Sequence, residues 1–433
     1  VFTTSVLLAL SSLAGADITF YTVIESDVTA AGAGDVVEVP DGGYAILSDN
    51  QSWTLVRTDS FGVVLAQHCN VFGYTMCITD AGELVVAGIY SDDSVLLHWM
   101  DQMGAVNRSK SYYVIDEIPI PRRIIETSDG GYAVCGYPAT GYGPEGFLLR
   151  LDDQENILWA TLFDTQELIC LVEIYDSEFV VGGHDYVDGL ASLTWVDEEG
   201  IEGQTLLYEE GSFNGIVSTS TGYAMSRLDG SVVGVDFTGN VEWCYTSSDI
   251  EHFSDICLAD NGDVVAVGHY WEEYYSGLTR LNPEDGSPVW ERYYPDCCLY
   301  LLTAAADGGF AIVGVCPGLP YYDDIILIKT DSEGYCPQLG IEDGVTPGDD
   351  IGLQVCPNPC TGSTNVRFLL SEPANVELSF YDISGRQVDG EPKQTLDVGV
   401  HSISIQDLDT GLYFVRLITD GDLYVQRFAV VSD

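Results

Sequence analysis

The chain has 433 residues, 46% of them apolar, so it holds ample material for a core and room for roughly two or three domains. Its 15 basic and 68 acidic residues give a formal net charge of −53, which excludes nucleic-acid phosphates and anionic membrane surfaces as partners. Lysine occurs only as Lys110, Lys329 and Lys393, and the acid excess reads as a solvated surface whose self-repulsion salt screens.

Residues 1–16 read as a signal peptide. Val6-Leu7-Leu8-Ala9-Leu10 is a short apolar run, and Leu13-Ala14-Gly15-Ala16 is a small-residue cleavage pattern before Asp17. The run is too short to span a bilayer. No initiator Met or basic leading segment precedes it, so the signal reads as truncated at its start. A buried N-terminal strand or helix is the alternative. No other stretch approaches the length of a transmembrane helix.

Residues 17–340 repeat. One signature is a turn followed by an apolar run: DGGYAIL, AGELVVAG, DGGYAVCG, DSEFVVGG, TGYAMSR, NGDVVAVG and DGGFAIVG. Its aligned positions are Tyr44, Leu84, Tyr132, Phe179, Tyr223, Val264 and Phe310. Glycines such as Gly42 supply the positive φ that a tight hairpin needs. Four residues beyond the aligned position stand Gly88, Gly136, Gly183, Gly268 and Gly314, which predict close backbone approach. Ser48 replaces the glycine in the first repeat and Arg227 in the fifth, where the pattern predicts an irregular unit or a functional loop.

A second signature alternates with the first. An apolar strand ends on Asp59, Asp101, Asp152, Asp197, Asp236, Asn282 or Asp331, often with a Gly and then a Trp beyond. Such a side chain accepts a hydrogen bond from the backbone N–H two residues on, so these residues read as turn formers rather than metal ligands or catalytic groups. The runs after the first turn are almost continuously apolar, as strands buried on both faces are. Seven units of about 40–50 residues, each with room for four strands, predict a seven-bladed β-propeller. The last unit lacks its outer strand, and Ile18–Val23 can supply it and remove an exposed edge. The repeats resemble those of secreted bacterial propellers, and Asn282, Gly286 and Trp290 resemble the tryptophan-docking repeat of quinoprotein-like propellers. That resemblance implies a fold and no particular activity.

Residues 341–352 read as a Gly/Pro/Asp-rich linker. Residues 353–433 hold short strands, many of which alternate apolar and polar positions as in a half-buried sandwich, with Asp420-Gly421 as the last hairpin turn. Here Pro357-Asn358-Pro359, the run from Val376 to Gly385-Arg386, Gly399 and His401, and Gly411 with Tyr413 and Arg416 resemble the type A sorting domain of the type IX (Por) secretion system. The resemblance implies an Ig-like sandwich read by the outer-membrane export machinery of a Gram-negative-type bacterium. It also implies delivery to the cell surface or the medium, usually with cleavage of the tail. Cys356 and Cys360 flank the Pro-Asn-Pro motif, which departs from the family and leaves typical processing open. An Ig-like adhesion module that stays attached is the alternative.

Motifs that carry chemistry are few. No G-x-S-x-G, H-E-x-x-H, P-loop or C-x-x-C string is present. Twelve cysteines in an exported chain read as disulfides of undetermined pairing, with Cys244 and Cys257 spaced like a strand staple. The adjacent Cys297-Cys298 resembles the vicinal disulfide of quinoprotein dehydrogenases, although ordinary strand staples account for it better. His184 and His269 share one repeat position, a structural slot. Tyrosines clustered at 274–275, 293–294 and 321–322 read as blade packing, with glycan or protein binding on loops as the sharper alternative. No cofactor is expected. A divalent cation such as calcium is the alternative use of the carboxylates, although no D-x-D-x-D-G loop occurs. The sequence therefore favours a surface or secreted binding protein without catalytic residues. A hydrolase or lyase at the channel mouth and a surface-layer or filament subunit are the alternatives.

Overall fold

The computed structural model describes, in the body of the chain, residues 4–6, 19–24, 33–48, 54–68, 71–90, 94–139, 146–164, 166–175, 177–270, 275–295, 297–317 and 323–336. In the tail it describes 353–356, 364–370, 373–382, 386–396, 399–406, 408, 411–419 and 422–430. Among these residues every regular element is a strand.

Seven antiparallel sheets follow one another, six with their strands hydrogen-bonded in chain order and the seventh completed by strands from the N-terminal part of the chain. We number these blades 1 to 7. The innermost strands are Ala33–Glu38, Gly73–Ile78, Pro119–Glu126, Gln166–Glu173, Phe213–Ser218, His252–Leu258 and Cys298–Ala304. Each touches the next and the last touches the first, so the ring is closed around a channel. Apolar side chains such as Val36, Met76, Ile124, Leu171, Ile256 and Leu302 are buried between the blades. Blade 7 borrows its fourth strand, as the sequence predicts: Phe20–Ile24 pairs antiparallel with Asp323–Lys329, with Phe20 opposite Lys329. Thr4–Val6, inside the stretch expected to be a signal peptide, adds a fifth strand outside it. Most of residues 1–16 lies outside the described residues.

The predicted turns form. Asp59 Oδ1 accepts the N–H groups of Phe61 and Val63 at 2.9 Å each, and Asp101, Asp152, Asp197, Asp236 and Asp331 each bind the same two positions beyond themselves. Asn282 accepts from Glu284 N–H. These turns and the DGG-type turns share one face of the ring, here called the lower face.

In six of the seven Asp/Asn turns a glycine is a seat for the neighbouring blade. Trp159 covers Gly200, Trp243 covers Gly286 and Trp290 covers Gly334, so that an added Cβ would lie 2.4 to 2.8 Å from an indole. The resemblance to tryptophan docking thus has a physical basis in three blades. Elsewhere Phe20 covers Gly62, His68 covers Gly104, and Tyr208 donates from its hydroxyl to Gly239 O at 2.8 Å. In the remaining case Glu155 holds the turn with φ 63°, and its carbonyl accepts from Tyr112.

In four blades the turn of the first signature is tied to its blade by a buried cation. Arg57 reaches Asp41 at 3.0 Å, Arg150 reaches Asp129 at 2.6 Å, Arg280 reaches Asp263 at 2.8 Å and Lys329 reaches Asp307 at 2.8 Å. Each cation sits two residues before the turn Asp or Asn. A buried guanidinium survives there because carbonyl oxygens also accept from it, as those of Tyr44 and Thr58 do from Arg57.

The tail forms two sheets. One orders Gln354–Cys356, Thr364–Leu370 and Gly399–Ile405; the other orders Gln387–Leu396, Ala374–Asp382, Gly411–Thr419 and Asp422–Val430. Val366, Phe368, Leu378, Phe380, Val415 and Leu417 meet in one core.

Candidate functional site: the central channel

A bulge interrupts the pairing of every innermost strand at one place, so that Gly34, Tyr74, Arg122, Ile169, Asn214, Ser254 and Tyr300 are extra residues on the channel side. The recurring glycines explain it. A Cβ on Gly88, Gly136, Gly183, Gly268 or Gly314 would lie 1.5 to 2.3 Å from the carbonyl oxygen of Phe72, Ile120, Glu167, His252 or Cys298. Only glycine lets the second strand approach the kinked first one so closely. In blade 5 Arg227 stands at this position, is buried, and pairs with Asp229 at 2.9 Å and with Glu210 O at 2.7 Å.

Just below the bulges three charged side chains face one another across the channel. Asp35 accepts from Val36 N–H, Thr75 Oγ1 and Met76 N–H, all at 2.8 Å. Asp255 accepts from Leu302 N–H at 3.2 Å. Each of the two thereby ties its blade to the following one. Arg123 is half-buried and faces Asp255 and Asp35 without an ion pair to any described carboxylate.

Burial pushes the Asp255 carboxyl up to about 6, against the pull of Arg123 and of the Ile256 and Leu302 N–H groups. Burial also raises Asp35. For Arg123, burial works against the charge, but Asp255 and Asp35 overcome it and hold the proton more firmly. Cys77 and Cys257 occupy one repeat position further down the channel, and burial raises both thiols, so neither is an active thiolate.

A cavity of about 340 Å³ is lined by Asp35, Met76, Cys77, Asp80, Arg123 and Glu126 among others. Two of its carboxylates, Asp35 and Glu126, are committed to structure. Glu126 accepts from Asp80 N–H at 2.6 Å, and the equivalent Glu173 and Glu38 accept from Ser128 N–H and Ala306 N–H. No group of three His, Cys, Asp or Glu suited to a metal occurs among the described residues. Among the described residues Asp35, Arg123 and Asp255 give the channel charged groups able to hydrogen-bond.

Asp35, Arg123 and Asp255 each stand nine residues before their aligned repeat position, Tyr44, Tyr132 and Val264. That constant offset was the available signal, and residue type hid it. Among residues singled out by sequence, His184 Nδ1 lies 2.8 Å from Gly211 O, and buried His269 packs on Tyr300, so that slot is structural. Burial lowers His269 to about 4. Tyr293 stacks on Tyr275, and Tyr294 donates to Gly334 O, which is blade packing; Tyr274, Tyr321 and Tyr322 lie outside the described residues. Cys244 is a free thiol exposed on the outer strand of blade 5, whereas Cys257 is a free thiol on the innermost strand of blade 6, so they form no staple. Cys297 and Cys298 are both buried where blade 7 begins.

In the tail, buried Tyr413 stacks on Phe428, and Arg416 lies over Tyr381 and 3.8 Å from Glu377. Gly411 pairs with Val430, and Arg386 is exposed. Pro357, Asn358, Pro359 and Gly385 lie outside the described residues.

Residues 354–431 match the family of secretion system C-terminal sorting domains. The body is similar to the WD40 β-propeller domain of Doa1, at 14% identity and TM-score 0.53 over 73% of this chain and 98% of that one. A structure of BBS1N is similar at 12% identity and TM-score 0.50 over 76% and 99%. A Bacteroides caccae protein aligns at 12% identity and TM-score 0.42 over 60% and 93%. Identities this low show the fold alone. No curated protein matches the sequence.

Proposed function

We propose that this secreted propeller protein works at the cell surface or in the medium as a binding protein, with its C-terminal domain read by the type IX export machinery. The observation that carries the reading is a sorting-domain match over residues 354–431 behind a closed propeller that holds no catalytic constellation among its described residues. The strand order of the tail suits an Ig-like sandwich, with three strands facing four. Removal of residues 1–16 as a signal peptide would leave blade 7 with four strands, like the other six. Cys297 and Cys336 are both fully buried in one cluster, and a disulfide between them in an oxidising compartment belongs to this reading.

Deleting residues 353–433 in the natural host tests the export half. Surface and medium fractions should lose the protein while the periplasm gains it; undiminished delivery would sink the reading. Calorimetric titration of the full chain against a glycan panel and divalent cations tests the binding half.

A further inference from the structure

Ten basic residues lie between positions 17 and 340, and eight are spent on structure. Arg57, Arg150, Arg280 and Lys329 hold turns, Arg227 pairs with Asp229, and Arg108 pairs with Glu83 and Glu155. Lys110 and Arg292 donate to the Glu155 and Glu333 carbonyls. The remaining two, Arg122 and Arg123, are consecutive and sit at the bulge of an innermost strand. A bulge re-aims the side chains beside it, and here Arg123 lines the channel while Arg122 is the unpaired bulge residue at its mouth, in a chain with a net charge of −53. Arg122 is exposed, lies 5.8 Å from the Tyr137 ring centre and makes no ion pair with a described residue. The same bulge ring carries Tyr74, Tyr300, Asn214 and Ser254.

We infer that this mouth of the channel, opposite the lower face, binds an anionic carbohydrate through Arg122 and Arg123. The guanidinium groups match a carboxylate or sulfate. In the same ring Ser254 and Tyr300 are held by His269, whereas Asn214, whose amide N–H donates to Phe253 O, keeps its side-chain carbonyl for a sugar hydroxyl. Asp35 and Asp255 offset Arg123, so the mouth suits sparse rather than dense negative charge. The inference rests on the binding reading above and names its ligand class.

The test is calorimetry on the full chain with trigalacturonate, a sulfated galactose trisaccharide, neutral galactotriose and tetraglutamate. One or both acidic sugars should bind, the neutral sugar at least about tenfold more weakly. Arg122→Gln should weaken the acidic sugar about tenfold, and Arg122→Lys should recover part of the loss. Arg122 is exposed, so the variant should keep its circular dichroism spectrum. Arg123→Gln leaves Asp35 and Asp255 uncompensated, so it is paired with Asp255→Asn to protect folding. Unchanged affinity in Arg122→Gln, equal binding of the neutral sugar, binding of tetraglutamate alone, or no binding by any probe each overturns the inference. A neutral ligand from the wider panel would leave the binding reading standing without this one.

Discussion

The lower-face turns and the channel strands use the same side chain to opposite ends. At the turn, burial works against Asp129, but Arg150, Thr127 and the Gly131 N–H outweigh it and hold the carboxyl down at about 2. In the channel, burial outweighs Arg123 and lifts Asp255 to about 6. The difference is the supply of water and donors around the group rather than its sequence neighbours. Asp129 gains from ionising and stabilises the fold above about pH 4, with loss as the pH falls toward 2. Asp255 has the opposite sign: its contribution is present below about pH 4 and lost as the pH rises through 6.

The largest expected effect is on the channel side. Gly183→Ala places a Cβ 1.8 Å from Glu167 O, a backbone atom that cannot yield, and should cost more than about 3 kcal/mol in urea unfolding. Gly262→Ala on the lower face meets nothing within 4 Å and bears only its positive φ, so about 1 kcal/mol is expected. Equal losses would mean that the bulge is not what the glycine protects. Next comes Arg150→Met, expected to cost about 2 kcal/mol at pH 7. Water screens the half-exposed Asp129 it leaves behind, and the cost should shrink toward pH 2 as Asp129 protonates. A smaller effect should follow Asp255→Asn, which keeps an acceptor for Leu302 N–H and removes the titration. Its melting temperature should fall less between pH 4 and 6 than that of the natural chain; identical profiles would assign the loss to another group.

What the sequence made legible follows the same division. Turn chemistry is local, so Asp59 and its equivalents announced their hydrogen bonds, and Gly136 or Gly183 announced close approach without saying to what. The borrowed strand was legible to within a residue or two, because an unpaired edge needs a partner. Docking onto the next blade was legible only where tryptophan does it; Phe20, His68, Tyr112 and Tyr208 perform the same task with no shared residue type. The channel was least legible. Asp35, Thr75, Arg123, Cys170, Gly215, Asp255 and Leu301 occupy one structural position, and closure of the ring alone brings them face to face. Cys244 and Cys257 show the converse, since near neighbours in sequence stand at opposite ends of adjoining blades.

The smallest expected effect separates hydrogen bonding from charge at the turns. Both bonds of Asp59 go to one oxygen, Oδ1, from Phe61 and Val63 N–H. An amide oxygen has two lone pairs and can accept both, and Asn282 already fills the equivalent place in blade 6. Asp59→Asn should therefore shift unfolding by less than about 0.5 kcal/mol, whereas Asp59→Ala, which strands both N–H groups, should cost about 1–2 kcal/mol. A carboxylate used for a divalent cation would reverse that order of reasoning. Asn would then cost nearly as much as Ala, and a chelator would destabilise the natural chain but not the Asn variant. Equal losses in the two variants, with chelator sensitivity in the natural chain alone, would move these residues from turn formers to metal ligands.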